Sequence, residues 1–137
     1  MNKQSYSSPQ RREFTSKEEF VAWLKQRTKS FAIRTITLCN ALPRNQATQV
    51  IGYQLIKSAT SLAANYRAAC RGRSGAEFYS KMCTVVEESD ESVFWYEVLM
   101  EANLVQNNEE LEVLMSEAIE IVALMATVRK NTGLKLK

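Results

Sequence analysis

Apolar residues recur along this chain at steps of three and four, the spacing that puts them on one face of an α-helix, and they do so in four successive segments. In the first, Leu24, Phe31, Leu38 and Leu42 share a stripe. Thr15 and Ser16 each stand three residues before a glutamate, Glu18 and Glu19, which is the reciprocal spacing of a capping box and predicts a start there. Pro43 ends this helix near Leu42, because a residue before proline resists the α region. The second helix is predicted from Asn45 to about Arg71, with Ile51, Leu55, Leu62 and Tyr66 on its stripe and Gly72 in the left-handed cap beyond it. Ser74-Gly75-Ala76-Glu77 opens a third, which carries Phe78, Met82, Val85, Tyr96 and Leu99 and runs to about Ala102. Asn107-Asn108-Glu109-Glu110 caps a fourth, with Leu111, Leu114, Met115, Ala118, Ile121, Val122, Met125 and Val128 in register. Arg129 and Lys130 suit its C-terminal dipole, and Gly133 marks its end.

Four helices of about 25 residues are each roughly 38 Å long at 1.5 Å per residue, and short connections make neighbours antiparallel. The fold class is therefore all-α, an up-down-up-down four-helix bundle. Its predicted domain spans 15–133, between a loosely held tail at 1–14 and a short one at 134–137. Four Gly and two Pro among 137 residues are too few for a fold built on repeated tight turns, and the length suits one domain.

Composition narrows the chemistry. The chain has no histidine, the commonest metal ligand and the usual general base near neutral pH, so His-dependent triads and zinc sites are excluded. Cys39, Cys70 and Cys83 match neither a zinc spacing nor an even disulfide framework, and read as thiols in a reducing cytoplasm. No apolar run approaches the roughly 20 residues that span a bilayer. Without a nucleophile–base pair, phosphate loop or metal set, neither an enzyme nor a cofactor or membrane partner is expected.

Charge adds a second pattern. Residues 1–73 carry 13 Lys+Arg against 3 Asp+Glu, and residues 74–137 carry 5 against 12, so a total of +3 conceals a strong asymmetry. On the second helix Lys57, Arg67 and Arg71 fall within about 80° of one another at 100° per residue, with Arg73 following in the loop. No acid lies between Asn45 and Ser74 to pair with them locally. These four are the candidate nucleic-acid contacts. The competing account has basic helices 1 and 2 meeting the acidic third helix, within or between subunits. In Glu87-Glu88-Ser89-Asp90-Glu91 a metal role is disfavoured, and any acid that turns inward needs an arginine partner. Asn65, among small residues near the apolar stripe, is expected to fix register or cap a group on a neighbouring helix. Phe94, Trp95 and Tyr96 are consecutive and span about 200°, so they cannot share one core. Phe94 and Trp95 are the candidate oligomer interface.

Several ordered blocks also resemble a known family. They are Ala41-Leu42-Pro43-Arg44-Asn45, Ile51 through Ser61, Ala64-Asn65-Tyr66-Arg67-Ala68-Ala69, Ala76-Glu77-Phe78, and Glu88-Ser89-Asp90-Glu91-Ser92 with Trp95. Across roughly Phe31 to Leu104 the chain resembles the bacterial four-helix-bundle proteins encoded by intervening sequences of 23S ribosomal RNA genes. That resemblance implies a homo-oligomeric ring, typically a pentamer, without enzymatic activity. It also implies kinship with the accessory protein of diversity-generating retroelements, which binds nucleic acid and a reverse transcriptase. Asn65, Tyr66, Arg67, Glu88 and Asp90 fall on signature positions of structural character.

Two functions follow as expectations. One is an oligomer that holds structured RNA or DNA, or an RNA-associated protein such as a reverse transcriptase, on basic helices 1 and 2. The other is a self-assembling interaction scaffold with no nucleic-acid role, its basic half consumed by acidic neighbours.

Overall fold

Each helix begins at a side chain that accepts a hydrogen bond from the otherwise unsatisfied N–H groups of a first turn. The computed structural model describes residues 13–106 and 108–136, which form four helices and no strand. In α1 (Lys17–Asn40), Ser16 Oγ accepts from Glu19 N at 3.1 Å, while Thr15 N donates to Glu19 Oε2 at 3.0 Å. In α2 (Gln46–Ala69), Asn45 Oδ1 accepts from Thr48 N at 3.0 Å and Thr48 Oγ1 accepts from Asn45 N at 3.2 Å. In α3 (Gly75–Glu101), Ser74 Oγ accepts from Glu77 N at 3.1 Å. In α4 (Glu109–Leu136), Asn108 Oδ1 accepts from Leu111 N at 3.1 Å.

The helices follow one another around the bundle. α2 lies between α1 and α3, α3 between α2 and α4, and α4 meets α1 along the sparsest of the four seams. The backbones of the diagonal pairs do not approach. The predicted stripes supply the core, with Leu24, Phe31, Leu55, Leu62, Tyr66, Met82, Val85, Tyr96, Leu99, Leu114, Ile121 and Met125 all essentially inaccessible to solvent. The α2–α3 seam is the most intimate, because its buried positions include Ser58 and Ala59 on one side and Ser89 and Ser92 on the other. Small side chains let two backbones come close, and their hydroxyls need partners. Ser92 Oγ donates to Ser58 Oγ at 2.9 Å, Ser58 Oγ donates to Leu55 O at 3.1 Å, and Ser89 Oγ donates to Val85 O at 2.6 Å.

Several boundaries differ from the sequence pattern. α1 stops at Asn40, yet Leu42 stays buried in the turn. α2 ends at Ala69, and Gly72 does not adopt the left-handed conformation expected of it. Its lack of a side chain answers a crowded backbone, since a Cβ there would meet Ala69 O at 3.0 Å and Phe78 N at 3.4 Å. The left-handed residue lies instead after α3, where Asn103 has φ 53° and takes the role often given to glycine. Gly133 does not end α4, which continues to Leu136. There the missing side chain admits a neighbour: a Cβ on Gly133 would lie 3.1 Å from Tyr79 Cε2. At the N-terminus, the expected tail at 1–14 falls outside the described residues except for its last two. Of these Phe14 packs against α1, with ring centroids 5.3 Å from Phe20 and 5.1 Å from Trp23.

Candidate nucleic-acid interface

The arginines of α1 and those at the end of α2 have different fates. Arg27 reaches from α1 across the sparse seam to Glu117 and Glu120 of α4, with Nε 2.9 Å from Glu117 Oε1 and its guanidinium 5.1 Å from the Trp23 ring centroid. Burial works against its charge, but the hydrogen bonds and charges of the two glutamates outweigh burial and raise its pKa above the ordinary arginine value. Arg34 forks onto Glu110, Nε to Oε1 at 2.9 Å and the terminal nitrogen to Oε2 at 3.0 Å. The acidic partner of α1 is thus α4 and not α3. Where helix backbones stay apart, long charged side chains can bridge a gap that short apolar ones cannot.

On α2 and in the turn after it the four candidate residues Lys57, Arg67, Arg71 and Arg73 are all exposed, and none joins an ion pair among the described residues. They do not form one site. Lys57 lies ten residues from Arg67, about 15 Å along the axis, and its field falls on Glu88 of α3. Glu88 is the half-buried member of the acidic run, and its pKa is raised by burial and by Glu91 and Glu87, against the opposing charge of Lys57. Its nearby cation is therefore a lysine and not the expected arginine. Because the folded pKa lies above the unfolded one, stability falls as pH rises from the ordinary carboxylate range through the folded value. Glu88→Gln is expected to raise the melting temperature at pH 7 and to leave it unchanged near pH 3, where parent and variant are both neutral at this position. Thermal denaturation at the two pH values checks this, and an equal gain at both would exclude the electrostatic cause.

Arg67 stands in the last turn of α2, and Arg71 and Arg73 follow in the connection to α3, since the helix stops two residues short of Arg71. Alternating helix directions bring the end of α4 to the same end of the bundle, so Arg129, Lys130 and Lys135 join them there. Glu97, Glu101, Glu109, Glu110 and Glu112 lie at the opposite end. Glu18, Glu19 and Glu77 share the basic end and Arg34 and Arg44 lie toward the acidic one, so the contrast along the bundle axis is an excess of each sign. In sequence Arg129 and Lys130 suit the helix dipole, and the antiparallel order is the signal that they share an end with Arg67 and Arg71. Asn65 takes no part in bridging helices, since its Nδ2 donates to Ser61 O at 2.9 Å within α2.

The half of the bundle toward the acidic end carries the exposed apolar residues Ile33, Val50, Tyr53, Phe94, Val113 and Ile119, while Tyr79 and Leu134 are exposed at the basic end. Phe94 is 51% exposed, and its ring meets Trp95 edge-on at 4.9 Å. The Trp95 Nε1–H is buried and has no acceptor among the described residues. No three His, Cys, Asp or Glu side chains among the described residues are placed to hold a metal. Burial pushes the Cys39 thiol up to about 11, and raises the phenols of Tyr66 and Tyr96 as well. None of these three groups is ionised near neutral pH. No described helix is long and apolar enough to cross a membrane.

Comparison with known proteins agrees with this architecture. Among solved structures, that of a protein of unknown function from the S23 ribosomal protein family of Bacteroides thetaiotaomicron is 28% identical and superposes with a TM-score of 0.72. The match covers 80% of this chain and 97% of that one. A comparison with curated proteins gives no match. The family model described as 23S rRNA-intervening sequence protein matches residues 18–127, most of the bundle. The chain belongs to the 23S rRNA-intervening sequence protein family.

Proposed function

We propose that this chain is a non-enzymatic, self-assembling cytoplasmic bundle that holds structured RNA at its basic end, with Arg67, Arg71 and Arg73 as phosphate contacts and Lys57 at the margin. The observation that carries this reading is the unequal use of charge. The α1 arginines are spent inside the bundle, whereas those of α2 are exposed and unpaired among the described residues. Phosphate binding needs several cations on one surface and no particular base sequence.

The test is fluorescence anisotropy of the purified protein with a structured RNA and a matched duplex DNA from roughly 50 to 200 mM salt. Binding that weakens steeply with salt is expected. Arg67→Ala/Arg71→Ala should reduce the log–log salt slope by about 1.4 to 1.8, two phosphate contacts at 0.7 to 0.9 each. A double variant that binds like the parent at every salt concentration would remove these arginines from the interface.

Exposed Phe94 against Trp95, whose buried N–H lacks an acceptor, favours a second reading, a homo-oligomeric scaffold, with a pentameric ring as its specific form. Assembly through Phe94 and Trp95 is compatible with RNA at the basic end, because both residues lie in the second half of α3, away from that end. Failure to bind RNA at the lowest salt, together with a stable oligomer, would leave the scaffold alone.

A further inference from the structure

At the basic end, α3 and α4 leave a cleft of about 450 Å³ lined by Tyr79, Ala126, Arg129, Lys130, Gly133 and Leu134. We infer that this cleft takes one unpaired nucleotide, with the base stacked on Tyr79 and the phosphate held by Arg129 and Lys130. The inference rests on reading the basic end as an RNA surface, and it adds what that surface distinguishes.

Three features carry it. Tyr79 is 36% exposed, yet one edge of its ring lies so close to α4 that a Cβ on Gly133 would stand 3.1 Å from Cε2. The ring is thus held by backbone while part of it remains open, as a stacking platform needs to be. Glycine is among the poorest helix formers, and its presence inside α4 is accounted for by room for this ring. Leu134, 61% exposed, adds an apolar wall, so the cleft pairs flat apolar surface with two cations that make no ion pair among the described residues. A base with its phosphate has that same pairing of properties. Within a duplex both base faces are already covered, so only an unpaired nucleotide can offer one. The volume lies in the roughly 300 to 1,000 Å³ range of small-ligand sites.

The experiment compares two fluorescein-labelled RNA hairpins whose strands are joined by a polyethylene glycol linker in place of loop nucleotides, one blunt and one with a single-stranded tail of four adenosines, binding to the full chain at fixed salt. The tailed hairpin should bind about five-fold or more tightly, the lower end of what one stacked base supplies. Tyr79→Phe should keep that preference, because the ring and not the hydroxyl stacks. Tyr79→Ala should bring the two hairpins to one affinity. Equal affinity in the parent would overturn the inference, as would a preference that survives Tyr79→Ala. Should circular dichroism show that Tyr79→Ala fails to fold, Arg129→Gln/Lys130→Gln decides, since a preference that it leaves intact excludes the cleft. If neither hairpin binds the parent, the RNA reading of the whole end falls. If both bind equally, only the cleft does.

Discussion

Truncating Tyr96 to alanine should lower the stability of the bundle by about 3 to 5 kcal/mol, the usual range for an aromatic removed from a packed core. Tyr96 is fully buried, its ring lies 6.0 Å from that of Phe31, and its hydroxyl is hydrogen-bonded to Thr35 Oγ1 at 2.7 Å. These contacts join α3 to α1, a diagonal pair whose backbones do not approach. Only a large side chain reaches across that distance, so no neighbour can collapse into the space that alanine leaves. Tyr96→Phe separates the two contributions, because it keeps the ring and removes the hydroxyl. Its expected cost is about 1 to 2 kcal/mol, a buried hydrogen bond with one partner left behind. Urea denaturation of the three proteins gives both numbers. A cost for the alanine variant below about 1.5 kcal/mol would mean that the core relaxes and that the diagonal contact is dispensable.

Tyr96 also illustrates what the linear pattern shows and what it omits. Its place on the stripe with Met82, Val85 and Leu99 follows from helical spacing alone, and all four are buried. The caps at Ser16, Asn45, Ser74 and Asn108 were equally legible, because a cap is a contact between residues two or three apart. Its partnership with Thr35, 61 residues away, has no local signature. Gly133 shows the converse. Glycine after Arg129 and Lys130 has the local form of a helix end, and the helix continues because the tertiary contact with Tyr79 offsets the roughly 1 kcal/mol that glycine costs.

The candidate site was legible in part for a similar reason. The absence of acids from Asn45 to Ser74 already meant that α2's cations had no partner on their own helix. Which of them gather was decided by the fold. Lys57 shares a stripe with Arg67 in projection but not in height, and the antiparallel order adds Arg129 and Lys130 from the far end of the chain. The pairing of α1 with α4 followed neither from charge blocks nor from spacing. It came from the sparsest seam of the bundle, which long ionic side chains bridge.

That seam yields the second large effect. Arg27→Ala should cost about 2 to 3 kcal/mol, somewhat less than the loss of one partner from a fully buried pair, because the Arg27 and Glu117 side chains remain 18% and 21% exposed and Glu120 42%. The cost arises less from the lost attraction than from what is stranded: two carboxylates one turn apart on α4 are left without their shared cation, and Trp23 loses the guanidinium over its ring. Arg27→Met/Glu117→Met/Glu120→Gln should therefore recover much of the deficit, since it removes the unpaired charges along with their partner. A triple variant no more stable than Arg27→Ala would show that the ion pairs themselves hold the seam. The same variant tests the division of labour between the two basic helices. If α1's charge is spent on α4, Arg27→Ala lowers the melting temperature and leaves the salt slope of RNA binding where it was, whereas Arg67→Ala/Arg71→Ala does the reverse. A slope that falls with Arg27 would extend the phosphate-binding surface along α1, past the seam and away from the basic end.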